Sequence, residues 1–144
     1  MLIVSSGVPG LDDLLGGGIL VGDNVVWVAE PTTFDIVSRP LLAGAGPGES
    51  ATYVTLTQAP EQVARKLPKG VEILDARGGQ TLADPGSFVR AVVERGSRPH
   101  ARIVVDGLDA VAERFGPEGA IELFTRTCPV LFGLGAIAYW RISR

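Results

Sequence analysis

The sequence predicts an α/β fold: a three-layer αβα sandwich around a mostly parallel five-stranded sheet. Five short apolar runs alternate with segments that carry helix start and stop signals. Strands that alternate with crossover helices pair in parallel, and helices cover both faces of the sheet. The chain has 144 residues, of which 46% are hydrophobic and 20% charged, as expected for one ordinary globular domain. We therefore expect residues 1–144 to form a single domain.

The five predicted strands are rich in β-branched residues, which is typical of strands buried on both faces. They cover residues 24–29, 51–57, 71–75, 102–106 and 136–142. Ligands of parallel sheets bind beyond the carboxyl ends of the strands. The candidate functional segments are therefore 30–35, 57–59, 106–109 and 141–144.

Two of the predicted helices have clear boundaries. Pro60 suits the first turn of a helix that Pro68 would end. Asp84 and Pro85 suit the N-cap and first position of a second helix, which ends at Gly96. Both helices lie between predicted strands and so qualify as crossovers.

A third helix is predicted over residues 117–127, after a turn over residues 108–115. Its spacing would turn Ile121 and Phe124 towards the core. The glycine-rich segment 44–48 (GAGPG) follows a helix and precedes a strand, which is the reverse of the order in a dinucleotide fingerprint. We interpret that segment as a turn.

Composition excludes several classes of protein. The 13 basic and 16 acidic residues give a net charge of −3, so no strong field attracts nucleic acid or an anionic membrane. Cys128 is the single cysteine and His100 the single histidine, which leaves no disulfide framework and no zinc motif. The N-terminus has no basic leader, and the apolar run 130–140 is too short to span a bilayer. We expect a cytoplasmic protein.

Segment 5–31, SSGVPGLDDLLGGGILVGDNVVWVAEP, closely resembles the lead-in of the KaiC branch of the RecA-like ATPases. That pattern runs S-T-G-x-P-G-L-D-x-L-L-G-G-G-I and then enters a strand. Segment 51–67 is similar to the family's Y-V-S-L-E-E-S-P-E-Q-L region, and RIVVDGLDAV at 102–111 is similar to its Walker B strand. The resemblance implies a RecA-like core. It also implies a truncated one, because the family continues with further strands after the one at 136–142.

An ATPase of this family needs a phosphate-binding loop of the form G-x-x-x-x-G-K-[ST]. Its glycines let backbone N–H groups cradle the phosphates, and its lysine reaches the terminal ones. At the matching place this chain reads EPTTFDIVSRP, residues 30–40, with neither the glycines nor the lysine. Only Pro31, Thr32 and Thr33 are similar to the loop.

Charge at this place also opposes a triphosphate. Glu30 and Asp35 lie where a helix N-terminus would otherwise bind an anion, and we expect them to satisfy the helix end themselves. Each carboxylate within roughly 6 Å would repel a phosphate by about 1 kcal/mol or more. Pro40 is expected to kink or shorten the helix that follows.

Little remains of the catalytic apparatus that the resemblance implies. The catalytic glutamates after the second strand correspond to Thr57 and Gln58, neither of which accepts a proton at neutral pH. Asp106 remains at the Walker B position, where the family holds magnesium through water. The alternative role for Asp106 is a cap of the following turn, together with Asp109.

Two further clusters are weighed against structural roles. The basic run Arg95, Arg98, His100 and Arg102 lies at the opposite end of the sheet, and we interpret it as a solvated loop. The group Tyr139, Trp140, Arg141 and Arg144 would form a stacking surface, or would simply alternate in burial along a strand.

The leading hypothesis is a catalytically inactive pseudo-ATPase, without a cofactor, that acts as a protein-interaction or regulatory module. One alternative is an ATP-binding protein with a non-standard loop, in which Thr32, Thr33 and Asp106 hold ATP with magnesium. A second alternative is a DNA-binding recombinase accessory, although the negative net charge disfavours nucleic acid as a partner.

The expected partner is a second copy of the chain or an active relative. If the family's further strand is missing, strand 24–29 becomes an apolar sheet edge. Residues 1–5 would cover that edge in a monomer, or a second copy would pair with it.

Overall fold

The computed structural model describes residues 2–143 and has an α/β architecture, as the sequence predicts. Five parallel strands form the main sheet in the order β3-β7-β6-β4-β5. The strands are β1 (Ile3–Val4), β2 (Ile19–Leu20), β3 (Asn24–Val28), β4 (Ala51–Thr55), β5 (Glu72–Asp75), β6 (Arg102–Asp106) and β7 (Ile137–Ile142). The helices are α1 (Pro9–Leu14), α2 (Pro31–Ala43), α3 (Pro60–Ala64), α4 (Pro85–Gly96) and α5 (Leu108–Leu134). The five predicted strands are those of this sheet, with ends that differ by at most two residues.

Hydrophobic clusters on the two faces of the sheet give the three layers. Residues of α4 and α5 pack with Trp140 on one face, whereas residues of α2 and α3 pack with Tyr139 on the other. Both aromatic side chains are fully buried, because successive residues of a strand point to opposite faces. Alternation along the strand therefore accounts for the burial of Tyr139 and Trp140. The alternative that they form an exposed stacking surface is wrong. Arg144 lies outside the described residues.

Local signals place two helices well. Helix α4 begins at Pro85, and the Asp84 carboxylate accepts a hydrogen bond from the Ser87 N–H at 2.8 Å, as an N-cap does. Helix α3 begins at Pro60 but ends at Ala64, several residues before Pro68. The interpretation of residues 44–48 as a turn is confirmed, since this segment connects α2 to β4.

Helix α5 differs most from its prediction. Residues 108–115 are helical rather than a turn, and the helix continues to Leu134 after a break at Gly116, whose φ is +81°. The orientation predicted for Ile121 is wrong, because its side chain is 64% exposed. Phe124 does pack inward, with its ring centroid 5.1 Å from that of Trp140.

Helix α2 continues through Pro40 to Ala43, so the expectation that this proline would shorten the helix is wrong. The helix buries Phe34, Leu41 and Leu42 against the sheet.

The N-terminal segment does not cover the sheet edge. Strand β1 pairs with β2 in a separate two-stranded antiparallel sheet, and within residues 2–143 the only neighbour of β3 is β7. The prediction that strand 24–29 forms an edge is confirmed. None of the helices described over residues 2–143 is long and apolar enough to cross a membrane.

Candidate functional site

The carboxyl ends of the strands bring polar groups together around Asp106, which is the member of this group that the sequence predicts as a site residue. Asp106 ends β6, Arg141 lies near the end of the adjacent β7, and Ala29 follows β3 on the far side of β7. Tyr53 lies on β4, next to β6 on its other side. Four neighbouring strands thus contribute groups to a single polar cluster.

Asp106 occupies the centre of this cluster and is only 2% exposed. Its Oδ1 accepts a hydrogen bond from Arg141 Nε, and its Oδ2 accepts one from the Tyr53 hydroxyl at 2.5 Å. No backbone N–H of the described residues donates to the Asp106 carboxylate, so the predicted turn cap is wrong. Asp109 instead binds the end of β7, where it accepts a hydrogen bond from the Ser143 N–H at 2.8 Å.

Arg141 is 5% exposed and forms a buried ion pair with Asp106. Its Nη1 donates to the Ala29 carbonyl at 3.2 Å and to Ser143 Oγ at 2.9 Å. The guanidinium therefore connects the end of β6 to the end of β3 across β7. Sequence reasoning missed this role, although Arg141 follows the residue that pairs with Val105 in the ladder and so lies beside Asp106.

Tyr53 extends the cluster towards α2. Burial, together with the neighbouring Asp106 carboxylate, raises the pKa of Tyr53 far above its ordinary value, so the phenol remains a donor. Lys66 lies over the Tyr53 ring, with its Nζ 5.5 Å from the centroid, and binds both carboxylate oxygens of Asp35, at 3.0 and 3.2 Å. Tyr53 and Lys66, like Arg141, are site residues that the sequence did not reveal.

The place of the phosphate loop is a two-residue connection. Only Ala29 and Glu30 separate β3 from α2, which begins at Pro31. The Glu30 side chain is exposed and caps no N–H group, while Asp35 pairs with Lys66. The expectation that these two acids satisfy the helix end is therefore wrong. Next to them, Thr32 and Thr33 are exposed in the first turn.

Thr57 and Gln58, which correspond to the catalytic glutamates of the resembled family, lie in a tight turn after β4. Thr55 Oγ1 donates to the Gln58 carbonyl at 2.7 Å and accepts from the Gln58 N–H at 3.2 Å. Thr57 is exposed, and Gln58 Oε1 is buried without a partner among the described groups. Neither side chain forms a hydrogen bond to Asp106 in the described part of the chain.

Comparison with known proteins supports the fold. No family model matches the sequence, and the comparison with curated proteins found no match. Among solved structures, a KaiC-like protein from the hyperthermophilic archaeon Pyrococcus horikoshii OT3 superposes with a TM-score of 0.77 at 19% identity. The match covers 99% of this chain and 72% of that chain. The fold is KaiC-like.

Magnesium with a nucleotide is the group that a KaiC-like fold implies, and the residues present here do not fit it. Both oxygens of Asp106 are engaged by groups of the chain, and the Arg141 cation occupies the position beside them. The connection from β3 to α2 has neither a glycine nor a lysine. Within residues 2–143, no three His, Cys, Asp or Glu side chains come together as metal ligands.

The basic run at the opposite end of the sheet is largely neutralised. Arg95 and Arg98 form ion pairs with Glu72 and Glu94, on β5 and α4. Arg102 is 7% exposed and donates to the Leu41 carbonyl at 2.9 Å, so the predicted solvated loop is wrong at this position. His100 is exposed, as predicted.

Proposed function

We propose that this KaiC-like domain is a catalytically inactive pseudo-ATPase that acts through contacts with other proteins. The observation that carries the proposal is the pairing of Arg141 with Asp106, the acid at the Walker B position. A buried carboxylate that is already neutralised by an internal guanidinium has no remaining charge with which to hold magnesium. We infer that Arg141 takes the place of the cation of an active site. The polar cluster at the carboxyl ends of the strands then stabilises the fold and does not bind nucleotide.

The energy of exchanging the two cations supports this proposal. Separating a buried ion pair by removing one partner typically costs about 3–5 kcal/mol, because the other charge remains buried. Magnesium would have to recover that amount at Asp106 before it contributed any net binding. A single carboxylate without a bound phosphate beside it is already a poor magnesium site, since Mg²⁺ is usually held by one or two carboxylates together with substrate phosphates and waters.

Charge near α2 supports the proposal further. Exposed Glu30 precedes the first turn, and Asp35 follows it. Lys66 compensates Asp35 but is held there by both carboxylate oxygens. Lys66 therefore does not take the place of the missing loop lysine.

A thermal-unfolding titration with Mg-ATP tests the proposal. A ligand at about 100 times its dissociation constant stabilises a protein by roughly 2.7 kcal/mol, which would raise the melting midpoint of a chain this size by several degrees. We expect no shift with Mg-ATP or Mg-GTP beyond that of magnesium alone. A reproducible increase that ADP competes away would contradict the proposal.

An ATP-binding protein with a non-standard loop is the second candidate. One observation favours it: no side chain caps α2, so the N–H groups of Thr32 and Thr33 lack an acceptor within the helix. If this candidate is correct, Mg-ATP stabilises the chain, and Thr33→Pro removes that effect without unfolding α2. In the pseudo-ATPase, neither chain responds to nucleotide.

The role as a DNA-binding accessory has less support, since Arg95, Arg98 and Arg102 are occupied within the chain. Salt-sensitive binding to DNA, measured by fluorescence anisotropy, would establish it. A cytoplasmic location also belongs to the proposal, and cell fractionation tests it.

A further inference from the structure

A small cavity at the amino ends of the strands is lined by two opposite charges. Its volume is about 50 Å³, and its polar lining consists of Glu49, His100 and Arg102. Arg102 begins β6, the strand that Asp106 ends, so the cavity and the polar cluster around Asp106 lie at opposite ends of the sheet. The larger apolar walls of the cavity are Val4, Val21 and Ile137.

Arg102 lines this cavity with a buried guanidinium that has no anionic partner among the described residues. The residue is 7% exposed, and the one hydrogen bond that its side chain donates there goes from Nη1 to the Leu41 carbonyl at 2.9 Å. Leu41 lies near the end of α2, where the helix dipole contributes only about half a negative charge. A buried charge is costly unless it is paired, and this one is compensated only in part.

The position of the guanidinium is fixed by its surroundings. The Leu41 carbonyl holds Nη1 on one side. On the other side lies Gly44, where any side chain would collide with the same nitrogen. A guanidinium has several N–H donors in a planar fork, so most of its hydrogen-bonding capacity is not used within the described chain.

Glu49 supplies the opposite charge. Its Oε1 accepts a hydrogen bond from the Gly46 N–H at 2.6 Å, which holds the side chain in the turn between α2 and β4. Its Oε2 has no partner among the described groups. Arg102 and Glu49 therefore line the same cavity without forming an ion pair, because backbone groups hold them apart. Fixed opposite charges across a cavity are complementary to a ligand that carries both charges.

We propose that this cavity binds a small α-amino acid as the zwitterion, with its carboxylate on Arg102 and its ammonium group on Glu49. Charge-assisted hydrogen bonds to a carboxylate are among the strongest that a guanidinium forms, and its fork can bind both carboxylate oxygens. The ammonium group donates to Glu49 Oε2. An anion without the ammonium group would be repelled by Glu49, and a cation without the carboxylate would be repelled by Arg102.

The size of the cavity selects the smallest amino acids. One water molecule needs about 10–15 Å³, so the cavity has room for roughly four waters, or for a molecule with about that many heavy atoms. Glycine is close to this size, whereas a large side chain does not fit. His100 is exposed, so the ligand has an entry on its side. The inference does not rest on the proposed function, because it concerns the other end of the sheet.

A titration with glycine, followed by two-dimensional amide NMR at constant pH and ionic strength, tests the proposal. We expect saturable shift changes at Val21, Ala101 and Arg102, with a dissociation constant of about 0.1–10 mM, because so small a ligand makes few contacts. Acetate and methylammonium each carry one of the two charges. Each should bind at least about tenfold more weakly than glycine.

Two variants separate the charges of the site. Arg102→Met should weaken glycine binding by at least about tenfold, and so should Glu49→Gln. Glu49→Gln should also tighten acetate binding, since it removes the repulsion, and a purely structural role would not cause this inversion. The matched controls are Arg39→Met and Glu118→Gln, which change exposed residues outside the cavity and should leave the affinity for glycine within about twofold of the wild type.

Arg102→Lys guards against a variant that does not fold. It keeps the charge but loses the planar fork, so glycine should bind severalfold more weakly while circular dichroism remains that of the wild type. Shift changes that increase linearly without saturation would overturn the proposal and indicate that water alone occupies the cavity. Equal affinity for glycine, acetate and methylammonium, or unchanged glycine affinity of Glu49→Gln, would overturn it as well. None of these results affects the pseudo-ATPase, which the Mg-ATP titration tests separately.

Discussion

Replacing Asp106 with Asn tests whether the buried pair with Arg141 stabilises the protein. Asparagine keeps the shape of the side chain but removes its charge, so the Arg141 guanidinium remains buried without a counter-ion. We expect the free energy of unfolding to fall by about 3 kcal/mol, the low end of the range for a broken buried pair, because the amide still accepts one hydrogen bond. A mere turn cap would lose only about 1 kcal/mol.

The structure supports the larger value. Both side chains are at least 95% buried, at 2% and 5% exposure, so water cannot replace the lost partner. The Tyr53 hydroxyl, which donates to the same carboxylate, loses its charged acceptor as well. Native domains have only about 5–15 kcal/mol in total. The variant should therefore melt roughly 10 °C or more below the wild type.

Urea denaturation of four chains separates the ion pair from its surroundings: wild type, Asp106→Asn, Arg141→Met and the double variant. Each single variant leaves one buried charge, whereas the double variant leaves none. We therefore expect the double variant to lose about 1–3 kcal/mol less free energy of unfolding than the two single variants lose when added together. Asp75→Asn is the control. It breaks the ion pair with Arg77, whose side chains are 43% and 42% exposed, and should lose only a small fraction as much.

Two results would refute this reasoning. If Asp106→Asn costs no more than Asp75→Asn, the buried pair does not stabilise the fold. If the single losses add exactly in the double variant, Asp106 and Arg141 are not coupled. In either case the guanidinium could not be regarded as the replacement for an active-site cation.

Three further predictions concern other parts of the chain. Burial raises the pKa of the Cys128 thiol to about 12, so alkylation by iodoacetamide at pH 8 should be roughly 10³ times slower in the folded protein than in urea. Leu123→Ala should cost about 2–5 kcal/mol in urea denaturation, whereas Ile121→Ala, on the exposed face of α5, should cost less than about 0.5 kcal/mol. Burial alone would raise the pKa of Glu72, but the hydrogen bonds and positive charges of Arg98 and Arg95 together outweigh burial and lower the pKa from its ordinary value. That carboxylate therefore stabilises the fold above about pH 4.5, and acid titration of Glu72→Gln should show a shallower loss of stability than the wild type.

The elements that the sequence predicted well have local causes. The β-branched runs and the Asp84 cap act within a few residues, and neither depends on the rest of the fold. Helix α5 was harder, because Gly116 and Pro117 resemble a helix boundary although the chain continues in helix on both sides of it. The face assigned to Ile121 was wrong because the buried stripe of the helix after Gly116 runs through Leu123, Thr127 and Leu131, and Ile121 lies outside it.

The contacts of the candidate site have non-local causes. Asp106 and Arg141 are 35 residues apart, and Asp35 and Lys66 are 31 apart. Parallel pairing of the strands was predicted, but the register that places Arg141 beside Asp106 rather than one residue away was not. A one-residue slip would turn the guanidinium to the opposite face of the sheet.

A graft of the missing phosphate loop tests whether Arg141 and the lost lysine are alternative solutions to one electrostatic problem. Asp106 and the Ala29 carbonyl are acceptors on either side of β7, and a cation between them satisfies both. The family resemblance implies that magnesium and a loop lysine supply positive charge here, whereas this chain supplies it from Arg141. We therefore expect that replacing residues 30–33 with a G-x-x-x-x-G-K-T loop does not restore Mg-ATP binding, because the guanidinium still neutralises Asp106. The same graft with Arg141→Met should bind at least about tenfold more tightly, measured by calorimetry, since about 1.4 kcal/mol of recovered interaction gives that factor. Equal affinity of the two grafts would show that the loop alone determines binding, and that Arg141 does not occupy the place of the cation.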